Sequence, residues 1–310
     1  MSMLSAIDVT GATQRLAGRI HSTPLMTSRT LDALTGCKLY FKCENLQRGG
    51  SFKIRGALNA ALQTAGVADL VTHSSGNHGA ALALAGRELN RPVTVVVPRA
   101  APAIKLANIE RYGATIVLCG PTIEDREAAV AKLLSAGGVY IPPYNHQQVI
   151  AGQGTLALEV VQQQPDTEEL WLPVGGGGMA SGCVAAVGER VRVIGGEPLL
   201  ADDAYESLRT GRLQGARAPR TIADGLRGAL GDITFAILRD YDLMIQRVGE
   251  EEIVEAQRLL MECLKLVVEP SGAVAFAALL AHCQAQPPTD VERRVGVVIS
   301  GGNVDLALAS

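Results

Sequence analysis

From about residue 38 onward, short apolar, β-branched-rich runs alternate with Ala-rich stretches. Residues 38–42, 93–97, 115–118, 170–174, 191–194 and 295–299 read as strands, the second closed by Pro98. Between them, residues 79–88, 104–112 and 123–134 repeat their apolar positions at the helical period. Strand, helix, strand in repetition demands right-handed crossovers, and those give a parallel sheet flanked by helices. The order therefore restricts the chain to the α/β class. A long amphipathic helix is expected over 250–267, an exposed basic loop over 209–220, and a hinge at Pro142-Pro143 after the run 139–141.

Composition agrees with strands buried on both faces: 47% of residues are hydrophobic but only 4% aromatic, so Ala, Val, Leu and Gly must fill the core. The net charge of −3, with both signs interspersed, gives no nucleic-acid or membrane surface. Six cysteines are scattered without a C-x-x-C pair, which reads as reduced thiols in a cytoplasmic protein, not a disulfide framework or zinc site. No signal-peptide pattern and no bilayer-length apolar run is present, so no membrane partner is expected.

Four motifs could carry chemistry. Ser51-Phe52-Lys53-Ile54-Arg55-Gly56 sets a lysine among apolar neighbours just ahead of a helix-like run over 57–65. Apolar surroundings disfavour the ammonium form and so make the amine a usable nucleophile. Alone, it would read as a surface lysine near a helix start. Ser74-Ser75-Gly76-Asn77-His78-Gly79 precedes an Ala-rich helix, where free backbone N–H groups suit a carboxylate; an ordinary N-capped helix would look similar. Gly175-Gly176-Gly177-Gly178 follows a strand and could close around a phosphate. Gly175, Gly177 and Ala180 also fit G-x-G-x-x-A, with Glu197 near the distance of a ribose acceptor, so nicotinamide binding is a contender on these residues alone. Ser300-Gly301-Gly302-Asn303 ends the last strand, at the edge where α/β proteins bind ligands.

Taken together, in this order and spanning nearly the whole chain, the motifs resemble the pyridoxal-phosphate enzymes of the serine/threonine dehydratase type (fold type II). Within them, the chain is most similar to the serine racemases and metal-dependent hydroxy-amino-acid dehydratases. The resemblance demotes the nicotinamide reading, because that family holds its cofactor phosphate at the tetraglycine loop. It implies a tryptophan-synthase-β-like fold with two domains, a large one from 1–68 and 147–310 and a small mobile one from 69–146. Lys53 would bind the cofactor covalently and act as base on one face. Phe52 would pack on the ring, Asn77 would bond its phenolic oxygen, and Ser300 would face its pyridine nitrogen. Gly175, Gly176, Gly177, Gly178 and Met179 would supply amides to the phosphate. Ser74, Ser75, Asn77 and His78 would clamp the substrate carboxylate, with Arg126 nearby. The hydroxyl of Ser75 stands where racemases carry serine, a second acid/base opposite Lys53.

Glu197 and Asp203, with the carbonyl of Ala201, match the family's divalent-metal site, and all-oxygen ligation suits Mg²⁺ or Ca²⁺. The implied activity is dehydration of L-serine or L-threonine to a 2-oxo acid and ammonia, with serine racemisation possible. Dehydration of L-threo-3-hydroxyaspartate and β-replacement of the cysteine-synthase kind are the alternatives. A homodimer is expected from the family. One departure stands out: Gly49 replaces the family's usual threonine, which removes a hydroxyl and should loosen the backbone at the cleft entrance.

Overall fold

A computed structural model describes residues 6–66, 68–215, 220–288 and 292–305. Two sheets organise these residues. The larger runs β1-β2-β10-β7-β8-β9, from strands Leu25–Met26 (β1), Lys38–Cys43 (β2), Glu169–Pro173 (β7), Arg192–Pro198 (β8), Met244–Val248 (β9) and Arg294–Ile299 (β10). The smaller runs β5-β4-β3-β6, from Leu70–His73 (β3), Val93–Pro98 (β4), Thr115–Cys119 (β5) and Val139–Tyr140 (β6). Every pairing is parallel except β1 with β2.

Helices cover both faces of the larger sheet, as a near-continuous apolar strand requires. One face packs against Val9–Leu16 (α1), Gln147–Gln163 (α7), Gly178–Val187 (α8) and Asp232–Asp240 (α10). The other packs against Arg29–Thr35 (α2), Glu250–Leu264 (α11) and the deeply buried Pro270–Ala285 (α12). The smaller sheet has Lys53–Leu62 (α3) and Asn77–Leu89 (α4) against one face and Ile123–Ser135 (α6) against the other. Ala103–Glu110 (α5) joins β4 to β5, and Asp203–Thr210 (α9) follows β8. No helix among the described residues is long and apolar enough to cross a membrane.

The strand-like runs of the sequence all form strands, and the exceptions have physical reasons. β9 escapes a reading by pattern because it is an edge strand, half-buried and carrying Gln246 and Arg247. β1 is only two residues long and pairs antiparallel. Helix α3 begins at Lys53 and not at residue 57: Arg55 N–H already bonds Phe52 O at 3.0 Å, in spite of the helix-weakening Gly56. α11 stops at Leu264 because Lys265 turns left-handed (φ 59°). In the expected basic loop, Arg209 and Thr210 instead end α9, and residues 216–219 lie outside the described residues.

Candidate active site

The carboxyl end of β10 and the start of α3 are stitched together. Phe52 N–H bonds Ser300 O at 3.1 Å, and Ser51 bridges Gly301. That places Lys53 on the first turn of α3, facing the loop that follows β6. Its Nζ donates to Pro143 O at 3.0 Å and lies 5.1 Å from the Phe52 ring centroid. Burial lowers the Lys53 amine to about 8, against the attraction of Glu269. The rest of the helix is anchored behind it. Arg55, wholly buried, forks onto Glu44 (2.7 and 2.8 Å) and Glu159 (2.7 and 2.9 Å), and Lys42 joins Glu159 at 2.7 Å.

The tetraglycine turn connects β7 to α8. A Cβ on Gly176 would stand 2.3 Å from Tyr144 Cδ1, and one on Gly175 would stand 2.9 Å from Leu226 Cα. Gly177 is left-handed at φ 79°, and Gly176 O accepts from Thr234 Oγ1 at 3.0 Å. Ser181 N–H makes the first bond back into the turn, to Gly177 O at 2.8 Å, so the amides of Gly178, Met179 and Ala180 stand at an open helix N-terminus. A side-chain-free turn lined by such amides fits a phosphate group.

A second helix start faces the cleft. The half-buried Ser74, Ser75 and Gly76 lead into α4. Gly76 N–H bonds Ser74 Oγ at 3.3 Å. His78 is buried, and its Nε2 donates to Ile141 O at 3.1 Å, which ties α4 to the end of β6. Burial, then the Lys53 charge, lowers its imidazole to about 3. The ring is thus neutral and engaged, and what His78 leaves for a carboxylate is its backbone amide. Arg126, on α6, donates to Thr122 O and lies near enough to His73 to add to the lowering that burial imposes on that ring. His73 in turn pairs with Tyr140 Oη at 3.1 Å. Ser300 is buried, its Oγ 3.4 Å from Ser271 O.

Glu197 ends β8, and its carboxylate accepts from Ala204 N–H (2.9 Å) and Tyr205 N–H (2.8 Å). Burial pushes it up to about 8, and Asp203 and Asp202 add to the rise. Asp203 is itself buried and adds to the rise that burial imposes on Tyr144, whose ring backs the glycine turn. Among the described residues no three His, Cys, Asp or Glu side chains converge as a metal cluster. Glu197 and Asp203 are buried carboxylates that repel one another, and carboxylate oxygen is the donor type that suits a hard cation.

Sequence reading missed Glu269. It is buried at the start of α12, and its Oε1 accepts from Asn77 Nδ2 at 2.8 Å. Burial, then Asp224, pushes it up to about 7, against its bonds from Asn77 and Asn303. A glutamate between Val268 and Pro270, in an apolar setting, was the signal available.

A family model described as pyridoxal-phosphate dependent enzyme matches residues 16–301. A serine racemase from Arabidopsis thaliana is 42% identical over 97% of this chain and 93% of its own length. A beta-hydroxyaspartate dehydratase from Paracoccus denitrificans is also 42% identical, over 96% of each chain. The solved structure of maize serine racemase superposes with a TM-score of 0.93 at 38% identity, covering 99% of this chain and 95% of that one. With the amine, the phosphate-sized turn and these likenesses in place, the chain belongs to the pyridoxal-phosphate dependent enzymes.

Proposed function

We propose that this enzyme eliminates water from L-serine- or L-threonine-type β-hydroxy amino acids, the released enamine then taking up one water on hydrolysis to give a 2-oxo acid and ammonia, with racemisation as an accompanying outcome. The observation that carries the reading is the buried Lys53 amine, lowered to about 8 and set at the stitched junction of α3 and β10. Pyridoxal phosphate, when bound, supplies an electron sink for the pair left at Cα after proton removal. The protein supplies the rest. Amides of Gly175, Gly176, Gly177, Gly178 and Met179 would hold the phosphate, Phe52 the ring face, Asn77 the phenolic oxygen and Ser300 the ring nitrogen. A neutral hydroxyl at that nitrogen, in place of a carboxylate, limits delocalisation and favours loss of the β-hydroxyl.

Ser74, Ser75, Asn77 and the His78 amide would bind the substrate carboxylate at the start of α4. Lys53 Nζ would take the α-proton from one face, and Ser75 Oγ would return one from the other. Residues 69–146 would form the mobile domain that closes on 1–68 and 147–310 to exclude water. Glu197, Asp203 and Ala201 O would hold Mg²⁺ or Ca²⁺, whose charge would neutralise the acidic pair. Six cysteines that form no disulfide support a reducing, cytoplasmic setting, and a homodimer is the assembly expected of the family.

L-threo-3-Hydroxyaspartate is a second substrate reading. It is favoured by the likeness to a beta-hydroxyaspartate dehydratase and by Arg126, a cation available to a second carboxylate. The test is a Mg²⁺-supplemented assay of the purified holoenzyme on all three amino acids, following 2-oxo acid, ammonia and D-isomer together. Release of 2-oxo acid with equal ammonia supports the lyase. Activity only with an activated serine ester and sulfide, without ammonia, would replace it with β-replacement.

A further inference from the structure

Glu269 is the N-cap residue of α12, and its carboxylate makes no bond to the amides of that helix. Both its oxygens turn away from the helix. Oε1 accepts from Asn77 Nδ2 at 2.8 Å, and Oε2 accepts from Asn303 N–H at 3.1 Å. Asn303 completes a ring of contacts: its Nδ2 donates to Asn77 Oδ1 at 2.9 Å and to Gly49 O at 2.9 Å. The Gly49 carbonyl can only accept, which fixes the Asn303 amide with its NH₂ toward Asn77.

The Asn77 amide is thereby set from both ends. Turned over, it would point its oxygen at the Glu269 carboxylate and its NH₂ at the Asn303 NH₂. One N–H is spent on Glu269, and the other remains for the cleft. Burying a carboxylate is costly unless its partners are in place. Glu269 is buried without serving its own helix, so its task lies with the residues it touches. The contact also crosses between the two sheets: Asn77 opens the helix on the smaller one, while Glu269 and Asn303 belong to the larger.

We propose that Glu269 and Asn303 are positioning residues that hold the Asn77 amide in one orientation, with a single N–H donor left for the phenolic oxygen of the cofactor. This deepens the function proposed above and rests on its reading of Asn77 as a cofactor contact. Asn303, the last residue of the Ser-Gly-Gly-Asn motif, gains a role that the phosphate and ring contacts leave unassigned. Above pH 7, where the Glu269 carboxylate is ionised and can only accept, Glu269→Gln removes the acceptor-only group while keeping shape, because a glutamine amide can face either end of Asn77.

The experiment is a double-mutant cycle read by titrating each apoprotein with pyridoxal phosphate and recording affinity and the absorption maximum of the bound cofactor. Asn77→Ala, Glu269→Gln and Asn303→Ser are each expected to weaken cofactor affinity about tenfold, the scale of a hydrogen bond to a charged group. Each should also move the absorption maximum. Adding Glu269→Gln to Asn77→Ala should then change neither readout further. Full additivity, or wild-type affinity and spectrum in both Glu269→Gln and Asn303→Ser, overturns the positioning role while leaving Asn77 a cofactor contact. An Asn77→Ala protein with wild-type affinity and spectrum instead overturns the reading of Asn77, and the positioning role with it. Apoprotein melting curves separate these outcomes from misfolding, and Asn303→Ser tests the same amide if Glu269→Gln does not fold.

Discussion

At the scale of single residues, burial decides the chemistry of one amine. The Lys53 ammonium is carried in the folded protein at a cost, because burial lowers its pKa from the usual 10.5 to about 8. Below pH 8 both folded and unfolded chains hold the proton, and the cost is fully present. Between pH 8 and 10.5 the unfolded chain binds more protons, so stability rises with pH, and above 10.5 the cost is gone. The lost Pro143 bond and access of water from the cleft reduce the effect to roughly 1–2 kcal/mol. Apo Lys53→Met should therefore be more stable than wild type at pH 7 in urea melts, with the gain vanishing near pH 10.5. An equal difference at both pH values would contradict a desolvated amine. Lys53, Asn77 and the tetraglycine run were legible because each lies within a short motif. Glu269 was not, since it meets Asn77 across 192 residues, a distance no local pattern records.

At the scale of elements, α3 is held from behind as firmly as from in front. The Arg55 guanidinium bonds two carboxylates and Thr155, and Lys42 extends the cluster to Gln163 and Thr23 O. Removing the guanidinium leaves buried Glu44 without the cation that bonds both its oxygens. Arg55→Met should cost about 3–5 kcal/mol, measured by urea unfolding; a change under 1 kcal/mol would show the cluster to be solvated. Sequence patterning locates α3 but not this cluster, because charged residues in apolar runs look like exposed positions until their partners are known. Gly49 and Gly50 are both left-handed at φ 74°, in a turn closed by Gly50 N–H to Gln47 O and held by Asn303. A left-handed position favours glycine and opposes a β-branched threonine.

At the scale of the whole molecule, the alternation of strand and helix made the parallel α/β class legible, and the motifs made the cofactor legible. What patterning could not give was the sharing of strands between two sheets, since strand order depends on which distant segments pair. β2 and β10 lie side by side although they are separated by most of the chain. The acidic pair behind the glycine turn links this architecture to its proposed cation. Mg²⁺ or Ca²⁺ at a hundredfold its Kd should stabilise the protein by about 2.7 kcal/mol, seen as a raised Tm that a chelator reverses. Glu197→Gln should abolish that rise. A Tm indifferent to cation and chelator would remove the metal from the account.

The central claim is that one amine, that of Lys53, anchors the cofactor. Borohydride reduction of the holoenzyme followed by peptide mass spectrometry tests it most directly, because reduction makes the amine–cofactor bond permanent. One reduced cofactor per chain is expected, on the peptide that contains Lys53. A label on any of the other five lysines, or none at all on a cofactor-loaded protein, would contradict it.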